Sequence, residues 1–301
     1  ELSTEGLIHQ NYQSTGLTNK FIKDYGICNK YFHVYYDEVS IVGNSFKKTL
    51  HSFLDDNSPI FGYTYSEDDD VSFFSQYGQF IVPTDYTCNL TFLAADEFAG
   101  KIYTQPNDDA KLPAEQDKHY VAFVVSDGDN ATYWQNTAAF AANYMNASGR
   151  ERDTFPVTWS MTPSLADLMP LVLENVYSNQ ANAYDYFCAP VSGQGYINAG
   201  NFEAENDGAY FADFVSKLDV YMNKADLSVV TVIGGNQAGD LVNVLNGYAS
   251  CKSVTGGIVY DGNKYFGANP GGVIWIDGKP FVQPRDSLWE TTPAYIAARI
   301  N

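Results

Sequence analysis

Between the apolar run His119 to Val125 and an amphipathic stretch that follows lies Ser126-Asp127-Gly128-Asp129-Asn130. A glycine between two aspartates lets the backbone turn and aim both carboxylates near one point. Paired carboxylates serve as general acid and base across a glycosidic bond. They also bind a hard divalent cation, calcium or magnesium, through oxygen. The plainer use of the same residues has Asp129 or Asn130 capping the next helix, with Asp127 in a turn.

Glu67 opens a run of acids, Glu67 to Asp70. Acids gather at helix N-termini, where the dipole favours them, so Glu67 is either a solvated first-turn residue or a third carboxylate for the chemistry. Arg285 is one of few basic residues near the expected site and would pair with a carboxylate or contact substrate. The four histidines, His9, His33, His51 and His119, are scattered, which excludes a three-histidine zinc centre. No GxSxG elbow is present, and Gly193-Gln194-Gly195 lacks the third glycine of a dinucleotide fingerprint. No cofactor is implied, a divalent cation at Asp127/Asp129 being the one metal use these residues allow.

The elements that must position these groups alternate in type. Apolar, β-rich runs at Tyr31 to Tyr36, Pro59 to Tyr65, Gln79 to Val82, His119 to Val125, Phe155 to Met161, Tyr186 to Val191, Ser228 to Ile233 and Gly256 to Tyr260 predict eight strands. A hairpin follows, Gly272 to Ile276 and Pro280 to Gln283, turning at Asp277-Gly278. Stripes at Trp134/Ala138/Ala141/Met145, Leu165/Leu168/Met169/Val172/Val176 and Phe211/Phe214/Val215/Leu218/Met222 predict helices. Thr162-Pro163 reads as an N-cap with proline at the first helical position. Alternation of this kind predicts a single-domain (β/α)8 TIM-like barrel, with a doubly wound open sheet as the other solution. The barrel would occupy residues 29–301, with 1–28 a separate N-terminal segment. The polar stretch Ala95 to Lys118 reads as a long loop.

Catalytic groups in α/β folds collect at the carboxyl ends of strands. Those ends are rich in acids and amides here: Asp37 and Glu38, Glu67 to Asp70, Asp85 and Asn89, Asp127 to Asn130, Gln194 and Tyr196, Asn236, and Asp261.

The formal net charge is −19, from 36 acidic and 17 basic residues, with no Lys/Arg cluster. Such a surface repels phosphate backbones and anionic membranes, so neither is an expected partner. No apolar run reaches the ~18 residues of a membrane span. Tyr is abundant, 23 residues, and its ring faces suit stacking on sugars as well as ordinary packing. The four cysteines, Cys28, Cys88, Cys188 and Cys251, allow two disulfides in an exported chain. Sequons at Asn89, Asn130 and Asn146 agree with export. Glu1 to Glu5 has neither a basic start nor an apolar core, so an export signal would already have been removed. If Asn130 lies at the bottom of a site, it carries no glycan.

The order of Ser126-Asp127-Gly128-Asp129-Asn130, then Trp159 to Leu168, then Ala189 to Tyr196 resembles the C-terminal domain of the GxGYxYP glycoside hydrolases. Phe61-Gly62-Tyr63 with Glu67, Asp85 with Asn89-Leu90, and Gly278-Lys279-Pro280 with Arg285 and Leu288-Trp289 resemble its other blocks. The name-giving motif departs at Gly193-Gln194-Gly195-Tyr196-Ile197-Asn198-Ala199, where the second Tyr and the Pro are replaced. The resemblance implies a secreted, carbohydrate-active hydrolase. Asp127, Asp129 and Glu67 would be its catalytic carboxylates. Asn130, Asp85, Asn89, Trp159, Gln194, Tyr196, Asn236 and Arg285 would contact the carbohydrate. The alternative, which the altered motif favours, is a secreted glycan-binding, matrix or storage protein that uses the same barrel without catalysis.

Overall fold

The computed structural model describes residues 2–11, 21–36, 41–63, 67–95, 100–107, 117–135, 154–233, 241–260, 271–286 and 291–300. Their strands are β1 (Ser3–Asn11), β2 (Tyr31–Tyr36), β3 (Pro59–Phe61), β4 (Phe80–Val82), β5 (Val124–Val125), β6 (Val157–Ser160), β7 (Asp185–Val191), β8 (Val229–Val232), β9 (Gly256–Val259), β10 (Val273–Ile276) and β11 (Lys279–Val282). The helices are α1 (Lys23–Asn29), α2 (Ile41–His51), α3 (Glu67–Gln76), α4 (Leu90–Leu93), α5 (Ala131–Gln135), α6 (Leu165–Leu168), α7 (Pro170–Asn175), α8 (Ala199–Ala204), α9 (Ala209–Ala225), α10 (Leu241–Ser250) and α11 (Pro293–Ile300).

All eight expected strands and the hairpin are present, but among the described residues no closed barrel is formed. Among the described residues they form two sheets, one ordered β2-β1-β3-β4 and one ordered β10-β11-β9-β8-β7-β6-β5. Every pairing is parallel except the β10–β11 hairpin. The physical reason is local. The strands that would have to seal the barrel are short, three residues in β4 and two in β5, and no ladder joins them. The sheets meet instead through an antiparallel bridge between Ile81 and Tyr196. Each residue donates its N–H to the other's carbonyl, at 3.0 and 2.7 Å. Gly195 makes this seam possible, since a Cβ there would lie 2.1 Å from the Phe80 ring.

β1 had no counterpart among the expected strands, yet it is central in its sheet, flanked by β2 and β3. It lies within residues 1–28, the stretch read from sequence as a separate N-terminal segment. The four-stranded sheet is apolar on both faces, as buried parallel strands are. Leu7, Ile60 and Ile81 pack with Leu50, Leu54, Val71 and Phe74 of the α2/α3 side. Their neighbours Ile8, Phe61, Phe80 and Val82 turn the other way, into the large core shared with the seven-stranded sheet. One residue of register therefore separates two cores.

Two helix expectations change. The stripe from Leu165 to Val176 is divided at Met169, and α7 begins at Pro170. Proline has no N–H to continue the first helix, but it fits the first position of the second. Thr162-Pro163 does not cap α6, whose N-cap is Ser164; the Ser164 hydroxyl donates to the Gln194 carbonyl. All four cysteines are free, so the two disulfides allowed by their number do not form.

Candidate active site

Five strand ends, from both sheets, deliver polar groups to one place. After β3, Gly62 takes φ of 95° and leads to Tyr63, with Glu67 opening α3. Asp85 follows β4, Asp127 and Asp129 follow β5, Tyr196 follows β7, and Tyr260 follows β9. Tyr133 on α5 joins them. The fields of Asp129, Glu67, Asp85 and Tyr196 all act on the Tyr63 hydroxyl, and those of Asp127, Asp129, Asp85 and Glu67 on that of Tyr133. The carboxylates are thus within electrostatic reach of one another, although they come from separate sheets.

The turn carrying two of them is built tightly. Asp127 sits at φ 74°, in the left-handed region that Asp tolerates better than most residues. Gly128 has no alternative, because a Cβ on it would lie 1.4 Å from the Ser160 carbonyl oxygen. Its N–H donates to Ser160 Oγ at 3.0 Å, and its carbonyl accepts from Trp134 Nε1 at 2.9 Å and from the Thr162 N–H at 3.0 Å. The Ala131 N–H donates to the Pro83 carbonyl at 3.0 Å, tying this loop to the one after β4.

Burial pushes the Asp129 carboxyl up to about 7, and the Asp127 and Glu67 charges push the same way; hydrogen bonds from its own N–H and that of Asn130 oppose them. Glu67 and Asp85 are also raised, first by burial. Asp68, Asp85 and Asp127 raise Glu67 further, while a hydrogen bond from Tyr196 lowers it. The hydroxyls of Tyr63 and Tyr133 are held neutral well into alkaline pH, chiefly by burial. Burial pushes the Tyr260 hydroxyl up to about 12, against a hydrogen bond with Ser126 that lowers it. At neutral pH the site offers a carboxyl, Asp129, that is about half protonated, beside further acidic side chains and neutral phenols.

Asn130 caps the helix that follows it and also binds Asp85. Asn130 Oδ1 accepts from the Thr132 N–H at 3.1 Å, while Nδ2 donates to Asp85 Oδ2 at 3.2 Å. Other residues considered from sequence go elsewhere. Trp159 is buried in the core and its indole donates to Asp185 Oδ1, at the start of β7, at 2.8 Å. Gln194 is buried with Nε2 on the Phe214 carbonyl at 2.9 Å. Asn89 is exposed at φ 56° ahead of α4. Arg285 pairs with Asp286 at 3.7 Å and is 58% exposed. Asp37, Glu38, Asn146, Asn236 and Asp261 lie outside the described residues. The group missed by the sequence reading is the tyrosine set, Tyr63, Tyr133 and Tyr260. Two of them stand just past strand ends, the signal that could have found them. Among the described residues, no three His, Cys, Asp or Glu side chains are grouped to hold a metal ion.

The altered motif has a structural account. Asn198 Oδ1 caps α8 by accepting from the Asn201 N–H at 3.1 Å. Ala199, at the family's proline position, uses its N–H on the Ile233 carbonyl at 3.3 Å, a bond proline lacks. Both replacements sit at the start of α8, just after Tyr196.

Fold and site together define an α/β protein with a carboxylate-and-tyrosine centre at the carboxyl edges of its sheets. The model of the "GxGYxYP putative glycoside hydrolase C-terminal domain" matches residues 117–301, and that of the "GxGYxYP third domain" matches residues 8–95. The chain belongs to the GxGYxYP family. The seven-stranded sheet falls within the first match, and the four-stranded sheet, apart from the first half of β1, within the second. A solved structure described as "a putative hydrolase" from Bacteroides thetaiotaomicron superposes with a TM-score of 0.80 at 25% identity. The similarity covers 100% of this chain and 57% of that one, so the chain spans little over half the length of its structural relative. A search of curated proteins finds no match.

Proposed function

We propose that the chain is a carbohydrate-active hydrolase that cleaves a glycosidic bond with carboxylates from both sheets. The observation that carries this reading is the convergence of Glu67, Asp85, Asp127 and Asp129 beneath tyrosine side chains at five strand ends. Asp129, protonated up to about pH 7, is the general acid that delivers a proton to the leaving oxygen. Glu67 opens α3 after the other sheet's β3. It takes a hydrogen bond from Tyr196 and sits where the helix dipole favours its charge. It acts as base or nucleophile on the opposite side of the sugar ring. Asp127 and Asp85 accept from sugar hydroxyls, and Tyr63, Tyr133 and Tyr260 present ring faces and neutral hydroxyls to the substrate. Export is part of the same reading, supported by the acidic surface and the sequons.

The test is a panel of glycans scored for cleavage and binding together, with the native protein beside an Asp127→Asn/Asp129→Asn variant. Cleavage that falls by about 100-fold or more in the variant supports the assignment, and the anomer first released tells direct displacement from a covalent intermediate. A second reading, glycan binding without catalysis, is favoured by the altered motif at Asn198-Ala199. Binding with no cleavage by the native protein, unchanged by the double substitution, would select it.

A further inference from the structure

Glu67 comes to the site from the four-stranded side, at the first position of α3, and its side chain is exposed. An exposed carboxylate on a flexible stem samples several rotamers, and each puts its oxygens in a different place. One of them must be selected if Glu67 is to act on a bound sugar. The groups that grip α3 belong to the segment 192–201, which follows β7 of the other sheet.

That segment is itself held at nearly every residue. The Ser192 hydroxyl donates to the Ile197 carbonyl at 3.1 Å, and the Ser192 carbonyl accepts from the Tyr248 hydroxyl of α10 at 3.0 Å. The Ser192 N–H donates to the Gly195 carbonyl at 3.1 Å, and the Gly193 N–H to that of Pro190 at 2.8 Å. Gln194 is fixed by Ser164 at its carbonyl and by Phe214 at its side chain. Tyr196 then bridges to Ile81. From this fixed arm come three contacts to α3. The Tyr196 hydroxyl donates to Glu67. The Asn201 Nδ2 donates to Ser72 Oγ at 2.6 Å, and the Asn198 N–H to Ser75 Oγ at 2.9 Å. On its other side α3 is tied to α2 by the buried Lys47–Asp70 ion pair at 2.6 Å.

Tyr196 is only 7% exposed and clusters with Leu7, Ile60, Ile81 and Phe74. Its ring is therefore closed to a sugar, and its hydroxyl is spent on the carboxylate. A phenol that donates to a carboxylate favours the charged form. Here that bond opposes burial and the charges of Asp68, Asp85 and Asp127, all of which push Glu67 up. We propose that Tyr196 is a positioning residue for Glu67: its hydroxyl, on an arm fixed to the seven-stranded sheet, holds the carboxylate of the other sheet in one orientation, while Asn198 and Asn201 hold the helix behind it. The role is distinct from contact with the carbohydrate, and it rests on the reading of Glu67 as base or nucleophile. It accounts for how a cleft assembled from two sheets keeps its carboxylates in a constant relation.

The experiment compares the native protein with Tyr196→Phe, which keeps the ring, the packing and the backbone bridge to Ile81. Glutamate is isotope-labelled at the side-chain carboxyl carbon for NMR titration, and the Glu67 signal is assigned by its loss in Glu67→Gln. The expected result is a Glu67 midpoint moved upward in Tyr196→Phe, since the bond favouring the charged form is gone. On a glycan that the native protein cleaves, kcat should fall by about 10-fold or more with KM within about twofold, and the acid limb of the pH profile should move up with the midpoint. Ser72→Ala leaves Tyr196 intact and removes the Asn201 hold on α3; it should move the same midpoint up by less. A midpoint unmoved in Tyr196→Phe, or in Ser72→Ala if Tyr196→Phe does not fold, overturns the proposal. A raised KM at unchanged kcat, the mark of a substrate contact, overturns it as well. If the native protein cleaves no glycan, the hydrolase reading fails separately, and the titration still decides whether Tyr196 holds Glu67.

Discussion

The side-chain amide of Asn130 is committed at both ends: its nitrogen donates to Asp85 Oδ2 at 3.2 Å and its oxygen accepts from the Thr132 N–H. Asn130 also heads a sequon, Asn130-Ala131-Thr132. A glycan on Nδ2 would compete with the Asp85 bond and occupy the mouth of the site. We expect peptide mass analysis of the native protein to show Asn130 unmodified, whatever the state of the exposed Asn89. A glycan on Asn130 would sink the site assignment. Replacing Asn130 with Ala removes a helix cap and is expected to cost about 1 kcal/mol in urea unfolding.

Asp129 makes stability and activity depend on pH in a defined direction. Its folded value, about 7, lies above the ordinary carboxylate value of 3.8, so the folded state binds the proton more tightly than the unfolded chain. The contribution is therefore full at pH below about 4 and is lost as pH rises toward 7. Asp129→Asn, which cannot ionise, should be the more stable protein at pH 8, by on the order of a few kcal/mol, with the gap closing toward pH 4. Denaturant melts of the two proteins across that range check this; a constant gap would refute it. If Asp129 is the acid, activity declines above pH 7 along the same titration. The acid limb, set by Glu67, lies above the usual range for glutamate.

Which parts of this molecule were legible in the sequence follows from the range of the forces involved. Strands β2, β6, β7, β8 and β9 were readable because their apolar runs are local signals, and Tyr31–Tyr36 coincides with β2 residue for residue. The Asp-Gly-Asp turn was readable because glycine's role is also local. Barrel closure was not, since it depends on whether β4 and β5 meet, and no residue type marks that. β1 was missed because Ser3–Asn11 carries His, Gln and Asn beside Leu7 and Ile8, and only its central place in the sheet makes it a strand. Trp159 resembled a ligand contact by its place in a motif, yet its indole is spent on Asp185. The tyrosines were visible only as a composition until the fold gathered them.

The cysteines give a direct check of the unpaired assignment. Burial pushes the Cys188 and Cys251 thiols up to about 12, so neither forms the reactive thiolate near neutral pH. Cys28 is exposed and Cys88 partly so. Titration with a thiol reagent at pH 8 should show Cys28 reacting first and Cys88 more slowly. Cys188 and Cys251 should react only after denaturation. A reductant should leave the melting temperature unchanged; a drop of several degrees would reveal a disulfide.

The sharpest test of how the carboxylates are held is Gly128→Ala. The added methyl carbon would lie 1.4 Å from the Ser160 carbonyl oxygen. That oxygen is backbone, at the end of a strand paired on both sides, so it cannot swing away as a flexible side chain would. The loop must give instead, and with it go the bonds from Trp134 Nε1 and Thr162 N to the Gly128 carbonyl. We expect a loss of about 3 kcal/mol or more, at the high end for one added methyl. Any variant that still folds should lose activity, because Asp127 and Asp129 flank the displaced residue. Its activity should then lose the limb near pH 7, since Asp129 leaves the environment that raises it. A folded, fully active Gly128→Ala protein would show that the turn does not position the acid.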